Sequence, residues 1–424
     1  MALDLKEELI RVTDALPLFD THEHIERDSR GRYYGGDLFD LLKNTFYLWA
    51  DLVSSGMPQE PWAADEHDDE KKWRAIRGYM PNVVASGYYR GIMRGLKAIH
   101  GFEDDLITDS NWKLLNDRIQ SAYADPEWTT KVLREKTHVQ WAIDDVDGFN
   151  MDRSLFLPSL KFDYLLRGGT VSGRKQIQQM DGANIRSFSG YLDFLDHRIA
   201  EFKRLGAVAL KTVTPYYRGL KYDEVSKPRA QGAFSRSGKP TPAAQKTVED
   251  FAFHFIVQKA VELDLPIQIH TGLLAWNTTY LPHCNPVDLN PLFLRYPACR
   301  FILFHGGYPY ADELGVLAKT FPNVYLDLCW LPWISPQIAK HYLSLWLDLV
   351  PINKFMWGGD AHRAECVHGH WLLAQKVVID VLSEKVSEGA FSGETAVSIA
   401  RGVFGDNARR IFEIPGGSPL RRQQ

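Results

Sequence analysis

Leu18-Phe19-Asp20-Thr21-His22-Glu23-His24 decides the fold, because it is an apolar run that ends abruptly in two histidines. Leu18 to His22 reads as a buried strand. Side chains two apart on a strand point to the same face, so His22 and His24 converge on one point at the strand's end. Upstream, residues 5–16 have the spacing of a short amphipathic helix. Downstream, Glu26 to Asp125 is rich in Trp, Tyr, Lys, Asp and Glu, with helical spacing at Leu38, Leu41 and Leu42 and again at Ile92, Leu96 and Ile99. It reads as a helical insertion after the first strand. Beyond it, short apolar runs alternate with helical stretches such as Val248 to Leu263. The runs are Val139–Ile143, Leu155–Pro158, Ala207–Leu210, Pro266–Ile269, Phe301–Phe304, Asn323–Leu328 and Lys354–Trp357. With the first strand they make eight. Continuous apolar runs suit parallel strands covered on both faces. Eight strand–helix units predict an α/β chain folded as one (β/α)8 barrel over residues 1–424. A doubly wound open sheet would carry a Gly-rich phosphate turn after its first strand, and this sequence has none there.

The same runs end in chemistry-bearing residues. Lys211 closes Ala207–Leu210, His270 closes Pro266–Ile269, and His305 closes Phe301–Phe304. Asp360 follows Met356-Trp357-Gly358-Gly359. Barrel enzymes place their chemistry at this end of the strands. One H-x-H is weak evidence, and one polar residue after an apolar run is ordinarily structural. Six such residues at five strand ends are different, because buried polar groups need partners and a shared cation supplies them. Imidazole and carboxylate donors suit Zn²⁺ first, and also Mn²⁺, Fe²⁺ or Ni²⁺.

Composition excludes several classes. The formal net charge of −4 over 424 residues gives no field of one sign to draw nucleic acid or an anionic membrane. The four cysteines, Cys284, Cys299, Cys329 and Cys366, contain no C-x-x-C pair, which argues against a zinc finger or a disulfide framework. The charged start Met1 to Leu9 lacks the apolar run of a signal peptide, and no segment reaches the roughly 20 apolar residues of a membrane span. These features predict a cytoplasmic enzyme whose partner is a small molecule. The aromatic insertion serves either as a lid over the mouth or as a homo-oligomer interface.

The motifs Asp20-Thr21-His22-Glu23-His24, Phe304-His305-Gly306-Gly307 and Trp357-Gly358-Gly359-Asp360-Ala361 resemble those of the amidohydrolase superfamily, in particular its amidohydrolase 2 branch of metal-dependent hydrolases and decarboxylases. The resemblance implies that His22, His24, His270 and Asp360 hold the metal. It implies catalytic roles for Asp360 as general base, for His305 in orienting water or substrate, and for Lys211. Lys211 is either carboxylated and bridging two metals, or an unmodified cation facing the substrate as in a Lys…Tyr-Arg-Gly-Leu segment like Lys211 to Leu220; the mononuclear form is preferred. The function so implied is hydrolysis of a C–N or C–O bond, an amide or lactone, by metal-bound water.

A second resemblance, through Lys72-Trp73-Arg74-Ala75-Ile76-Arg77, Asn111-Trp112 and Asp144-Asp145, is to uronate isomerase, another member with a helical insertion after its first strand. The chain departs from it at His305 and matches only partly at Cys329-Trp330. A sugar-acid isomerase or a decarboxylase is therefore the alternative. Arg218, Arg74 and Arg77 are the guanidinium candidates for a substrate carboxylate, Arg218 first. Trp276 and Trp330 are candidates to line the pocket. His283 is on the same loop as Trp276, whereas His362, His368 and His370 read as the start of a helix. Lys227 to Thr241 reads as a flexible loop and Pro415 to Gln424 as a disordered tail.

Overall fold

All eight apolar runs are parallel strands in the structure, a computed structural model that describes residues 2–25, 27, 33, 35–145, 151–234 and 238–414. They are β1 (Leu18–Glu23), β2 (Val139–Asp144), β3 (Phe156–Lys161), β4 (Ala209–Thr212), β5 (Ile267–Ile269), β6 (Phe301–Leu303), β7 (Val324–Asp327) and β8 (Phe355–Met356). Each pairs with its sequence neighbour, in the order β1 to β8. Backbone hydrogen bonds join the two ends. Thr21 N–H donates to the Trp357 carbonyl (3.2 Å), Asp360 N–H to the His22 carbonyl (2.8 Å), and His24 N–H to the Ala361 carbonyl (3.0 Å). The segment after β8 therefore acts as the closing strand, and it carries Asp360 alongside His22.

Burial holds the strands in place. Phe301, Ile302 and Leu303 of β6 are each fully buried, and each such side chain stabilises by about 1.5–3 kcal/mol. Helices Phe188–Arg204, Pro242–Glu262, Ala311–Thr320, Pro336–Leu349 and Ala364–Ser387 cover the outside. Register sets which side chains share a level: Lys161 of β3 lies opposite Lys211 of β4.

Between β1 and β2 the chain forms helices Leu38–Asn44, Phe46–Ser54, Asp69–Ile76, Gly87–His100, Trp112–Tyr123 and Trp128–Lys131, and helical turns continue to Lys136. Their apolar faces, with Trp49, Trp73, Ile92 and Leu96, form a second core against β1, β2 and the helix after β8. Helix Gly87–His100 lies almost backbone to backbone on Ala364–Ser387. A Cβ on Gly95 would stand 2.1 Å from the Glu365 carbonyl oxygen, and one on Gly369 would stand 2.1 Å from that of Gly91. Only glycine permits that approach.

One loop expectation is corrected. Lys227–Ala233 is a helix, with Pro228 in its first turn and Ala230 buried. Proline there presets the helical φ, which outweighs the Lys/Gly/Ser composition. The expected tail, Pro415 to Gln424, lies outside the described residues. Among the described residues no helix is long and apolar enough to cross a membrane.

Candidate metal centre and active site

The C-terminal ends of the strands surround a cavity of about 310 Å³. His22, His24, Lys211, His270, His305 and Asp360 all line it, as do Tyr47, Asp145, Lys161, Tyr216, Trp276 and His362. All six strand-end residues singled out from the sequence therefore meet in one space. The backbone is bent to bring them there. His305 and Asp360 have φ of +64° and +54°, and Trp276 and Trp330 beside them have φ of +64°. Such conformations are costly for non-glycine residues and persist where the surroundings over-determine them.

Asp360 is the hub. Its Oδ1 lies 3.6 Å from His22 Nε2 and 3.2 Å from His24 Nε2. Bonds of about 2.1 Å to one tetrahedral cation would set ligand atoms about 3.4 Å apart, so these three residues fit a divalent ion. Burial, then the charges of Lys211 and His24, holds His22 well below its usual pKa. It is thus the neutral imidazole that binds metals. For Asp360, burial pushes the pKa up, but hydrogen bonding to His24 and the surrounding imidazoles of His22, His305 and His24 outweigh it and hold the carboxyl well below the usual range. The other oxygen, Oδ2, accepts a 2.7 Å hydrogen bond from the Tyr47 hydroxyl and lies 3.9 Å from His305 Nδ1. Burial and the Asp360 charge push the Tyr47 phenol well above its usual value.

His270, the fourth expected ligand, stands one contact back from this trio. Its Nδ1 is 3.0 Å from His305 Nε2, and its Nε2 is 2.8 Å from the Leu273 carbonyl. His305 Nδ1 lies 3.1 Å from the Cys329 carbonyl. Burial lowers both imidazoles, His305 to about 3. Two neutral rings carry one proton each. If those protons serve the two carbonyls, the remaining nitrogens face each other bare, an arrangement that a nearby cation stabilises.

Lys211 is 1% exposed. Its Nζ is 3.3 Å from His22 Nε2 and 3.6 Å from the centre of the Phe304 ring, and burial lowers its pKa. The strand ends are braced from behind. Asp20 accepts from the His22 and Gly359 N–H groups (3.0 Å each), Glu23 accepts from Ala361 N–H (2.8 Å), and Thr21 donates to Asp327 (2.6 Å). These bonds lock β1 to the Asp360 segment.

The structure does not bring the arginines to the cavity. Arg74 and Arg77 lie on the outside of the insertion, paired with Glu70 at 3.2 Å and Asp109 at 2.8 Å. Their helix buries Trp73 and Ile76, which turns the charged face outward. Arg218 is held by Glu249 at 3.1 Å and Asp250 at 2.6 Å. It lines a neighbouring cavity of about 350 Å³ that shares Tyr216 and Tyr217 with the first. Trp276 lines the main cavity, but Trp330 does not: it is buried behind it, stacked on Tyr47 with ring centres 3.9 Å apart.

Lys161 was within reach of sequence reasoning. It ends β3 level with Lys211 of β4, but the apolar run stops at Pro158, three residues short of it. Asp145, just past the end of β2, carries no strand-end signal of its own because a second aspartate, Asp144, precedes it. His362 reads as a helix start, yet it stacks on His24 with ring centres 4.8 Å apart. Tyr47 carries no strand-end signal at all; it arrives from the insertion.

The family model described as amidohydrolase matches residues 234–414. A uronate isomerase from Nostoc punctiforme is 23% identical over 454 aligned positions, which cover 94% of this chain and 93% of that protein. Protein fluG from Emericella nidulans is 30% identical over 224 residues, 49% of this chain, and the match spans only 26% of that protein's length. A crystal structure of uronate isomerase from Thermotoga maritima superposes with a TM-score of 0.81 at 17% identity, covering 96% of this chain and 97% of that one, a likeness of fold. The resemblance to amidohydrolases and to uronate isomerase is thus borne out, and His22, His24 and Asp360 form a candidate site for a divalent metal. The expectation of a hydrolase is overturned: the relative matched from end to end is an isomerase. His305, taken from the sequence as a mark against isomerisation, does not outweigh that match.

Proposed function

We propose that this chain is a metal-dependent isomerase that interconverts the aldehyde and ketone forms of an open-chain uronic acid. The observation that carries the reading is the match to a uronate isomerase along nearly the whole of both chains. The site supports it through the Tyr47–Asp360 pair. Such an isomerisation removes a proton from the carbon beside the carbonyl and returns one to the neighbouring carbon. It needs one group that takes a proton and one that holds one. Neighbouring groups whose surroundings drive their pKa values apart mark such a pair. Asp360, held ionised, is the acceptor. Tyr47, held protonated and hydrogen bonded to it, is the donor.

His22, His24 and Asp360 would hold one divalent cation, zinc first by its donors, with Mn²⁺, Fe²⁺ and Ni²⁺ as the other candidates. Bound there, the ion supplies positive charge that polarises the carbonyl and hydroxyl oxygens of the substrate. Lys161 and Lys211 place two ammonium groups on the cavity wall, suited to the substrate's carboxylate and oxygens. His305 and Trp276 orient the bound chain, and Tyr216 and Tyr217 close its far side.

The test is a panel of uronic acids given to protein loaded with each of the four metals, with ketose formation measured. Turnover that is lost in Asp360→Asn and in metal-stripped protein supports the reading. No conversion of any uronic acid by protein carrying one equivalent of metal rules it out.

A further inference from the structure

Tyr47 reaches Asp360 from outside the barrel, so something must hold the insertion at the right distance. The structure contains a closed circuit that does this. From Asp360 the chain runs through His362 to Arg363, a buried residue. The Arg363 fork grips Asp40, with Nε to Oδ2 at 2.6 Å and Nη2 to Oδ1 at 2.9 Å. Its third nitrogen, Nη1, donates to the carbonyl of His362 at 2.7 Å, which fixes the turn that follows Asp360. Asp40 lies in helix Leu38–Asn44. That helix leads through Thr45, whose Oγ1 bonds the Leu41 carbonyl (2.8 Å) and lies 3.1 Å from Cys366 Sγ, into the helix that carries Tyr47. The Tyr47 hydroxyl then returns to Asp360 at 2.7 Å. A planar bidentate fork fixes both distance and orientation, which a point charge does not.

We infer that Arg363, through Asp40, is a positioning residue that sets the contact between Tyr47 and Asp360. It touches neither the cavity nor the expected metal ligands. Its influence passes along the circuit, so weakening the fork lets the phenol drift, while the Asp360 trio keeps the bonds of Asp360, Gly359 and Ala361 N–H to the first strand. The inference rests on the proposed proton roles of Tyr47 and Asp360, and its test separates the two.

Wild type, Arg363→Met, Arg363→Lys, Tyr47→Phe and the double variant Tyr47→Phe/Arg363→Met are compared for kcat and KM on a uronic acid, for metal content, and for deuterium exchange of residues 45–50. Arg363→Met should lower kcat about 10- to 100-fold, the scale of a misplaced catalytic group, with KM within about twofold by the same reasoning. Arg363→Lys, which folds more readily but lacks the fork, should give a smaller loss of the same kind. In the Tyr47→Phe background the Arg363→Met loss should shrink below about twofold, because coupled residues are non-additive. Equal losses in both backgrounds overturn the inference, as does loss of metal with unchanged exchange at 45–50. If wild type turns over no uronic acid, the functional reading fails. Exchange then decides the positioning claim alone: faster exchange at 45–50 in both Arg363 variants, with residues 251–258 unchanged, upholds it, and unaltered exchange at 45–50 ends it.

Discussion

Replacing Glu365 by glutamine should cost about 3 kcal/mol at neutral pH, and the cost should shrink in acid. Glu365 is fully buried at the start of the helix after β8. Its Oε1 faces His100 Nε2 at 3.1 Å and accepts from Trp128 Nε1 at 3.0 Å, and its Oε2 accepts from the Tyr123 hydroxyl at 2.8 Å. Those donors come from three helical segments of the insertion, so one carboxylate ties the insertion to the barrel. Hydrogen bonds to a charged group contribute about 1.5–3 kcal/mol and neutral ones about 0.5–1.5. Glutamine keeps the shape and removes the charge, so each of three bonds weakens by about 1 kcal/mol. Alanine would orphan all three buried donors and cost more, about 3–5 kcal/mol. The pH dependence follows from linkage. Burial alone would raise the Glu365 pKa, but the hydrogen bond and charge of His100, with the bonds from Trp128 and Tyr123, bring it below 4.5. A carboxyl depressed on folding contributes stability that is present above its unfolded value and lost as pH falls through its folded value. Urea unfolding followed by tryptophan fluorescence at pH 7 and pH 4 would therefore show a gap between wild type and Glu365→Gln that narrows below about pH 4.5. A gap under about 0.5 kcal/mol at pH 7, within the range of an ordinary surface change, or a gap that does not change with pH, refutes the reasoning.

Further outcomes follow from the same contacts. Gly95→Ala puts a methyl 2.1 Å from the Glu365 carbonyl, so the two helices must part at a cost of about 1–3 kcal/mol, read as a lower urea midpoint. Arg218→Ala leaves Glu249 and Asp250 without their shared partner; it should destabilise by about 2–4 kcal/mol while KM for a uronic acid changes less than about twofold, since Arg218 lies off the main cavity. Arg74→Ala and Arg77→Ala remove exposed pairs and should change stability by less than about 0.5 kcal/mol and turnover not at all. Tyr47→Phe should keep the metal and lower kcat by about 100-fold or more.

The barrel was legible because its strands are buried on both faces. Runs such as Phe301–Phe304 have no polar residue to confuse them, and a chemistry-bearing residue marks where β1, β4, β5, β6 and the segment after β8 reach the rim. The same regularity revealed His22, His24, Lys211, His270, His305 and Asp360, which the fold brings together from positions as far apart as 22 and 360. Tyr47 was not legible, because its place depends on how a separate helical layer docks, and the glycines and the Glu365 carboxylate that fix that docking look unremarkable in one dimension. Arg218 misled for the opposite reason. It follows a strand end, but Glu249 and Asp250, supplied by a helix more than 30 residues later, neutralise it. Local sequence shows that a charge exists; only the fold shows whether it is already paired.

The most direct measurement is proton NMR of a uronic acid incubated in heavy water with protein carrying one equivalent of metal. The account expects aldehyde signal to give way to ketone, with deuterium entering at the carbons next to the carbonyl, and expects both changes to vanish in His24→Ala and in metal-stripped protein. Metal-loaded wild type that leaves the substrate's carbon-bound protons untouched, or stripped protein that exchanges them at full rate, would contradict it.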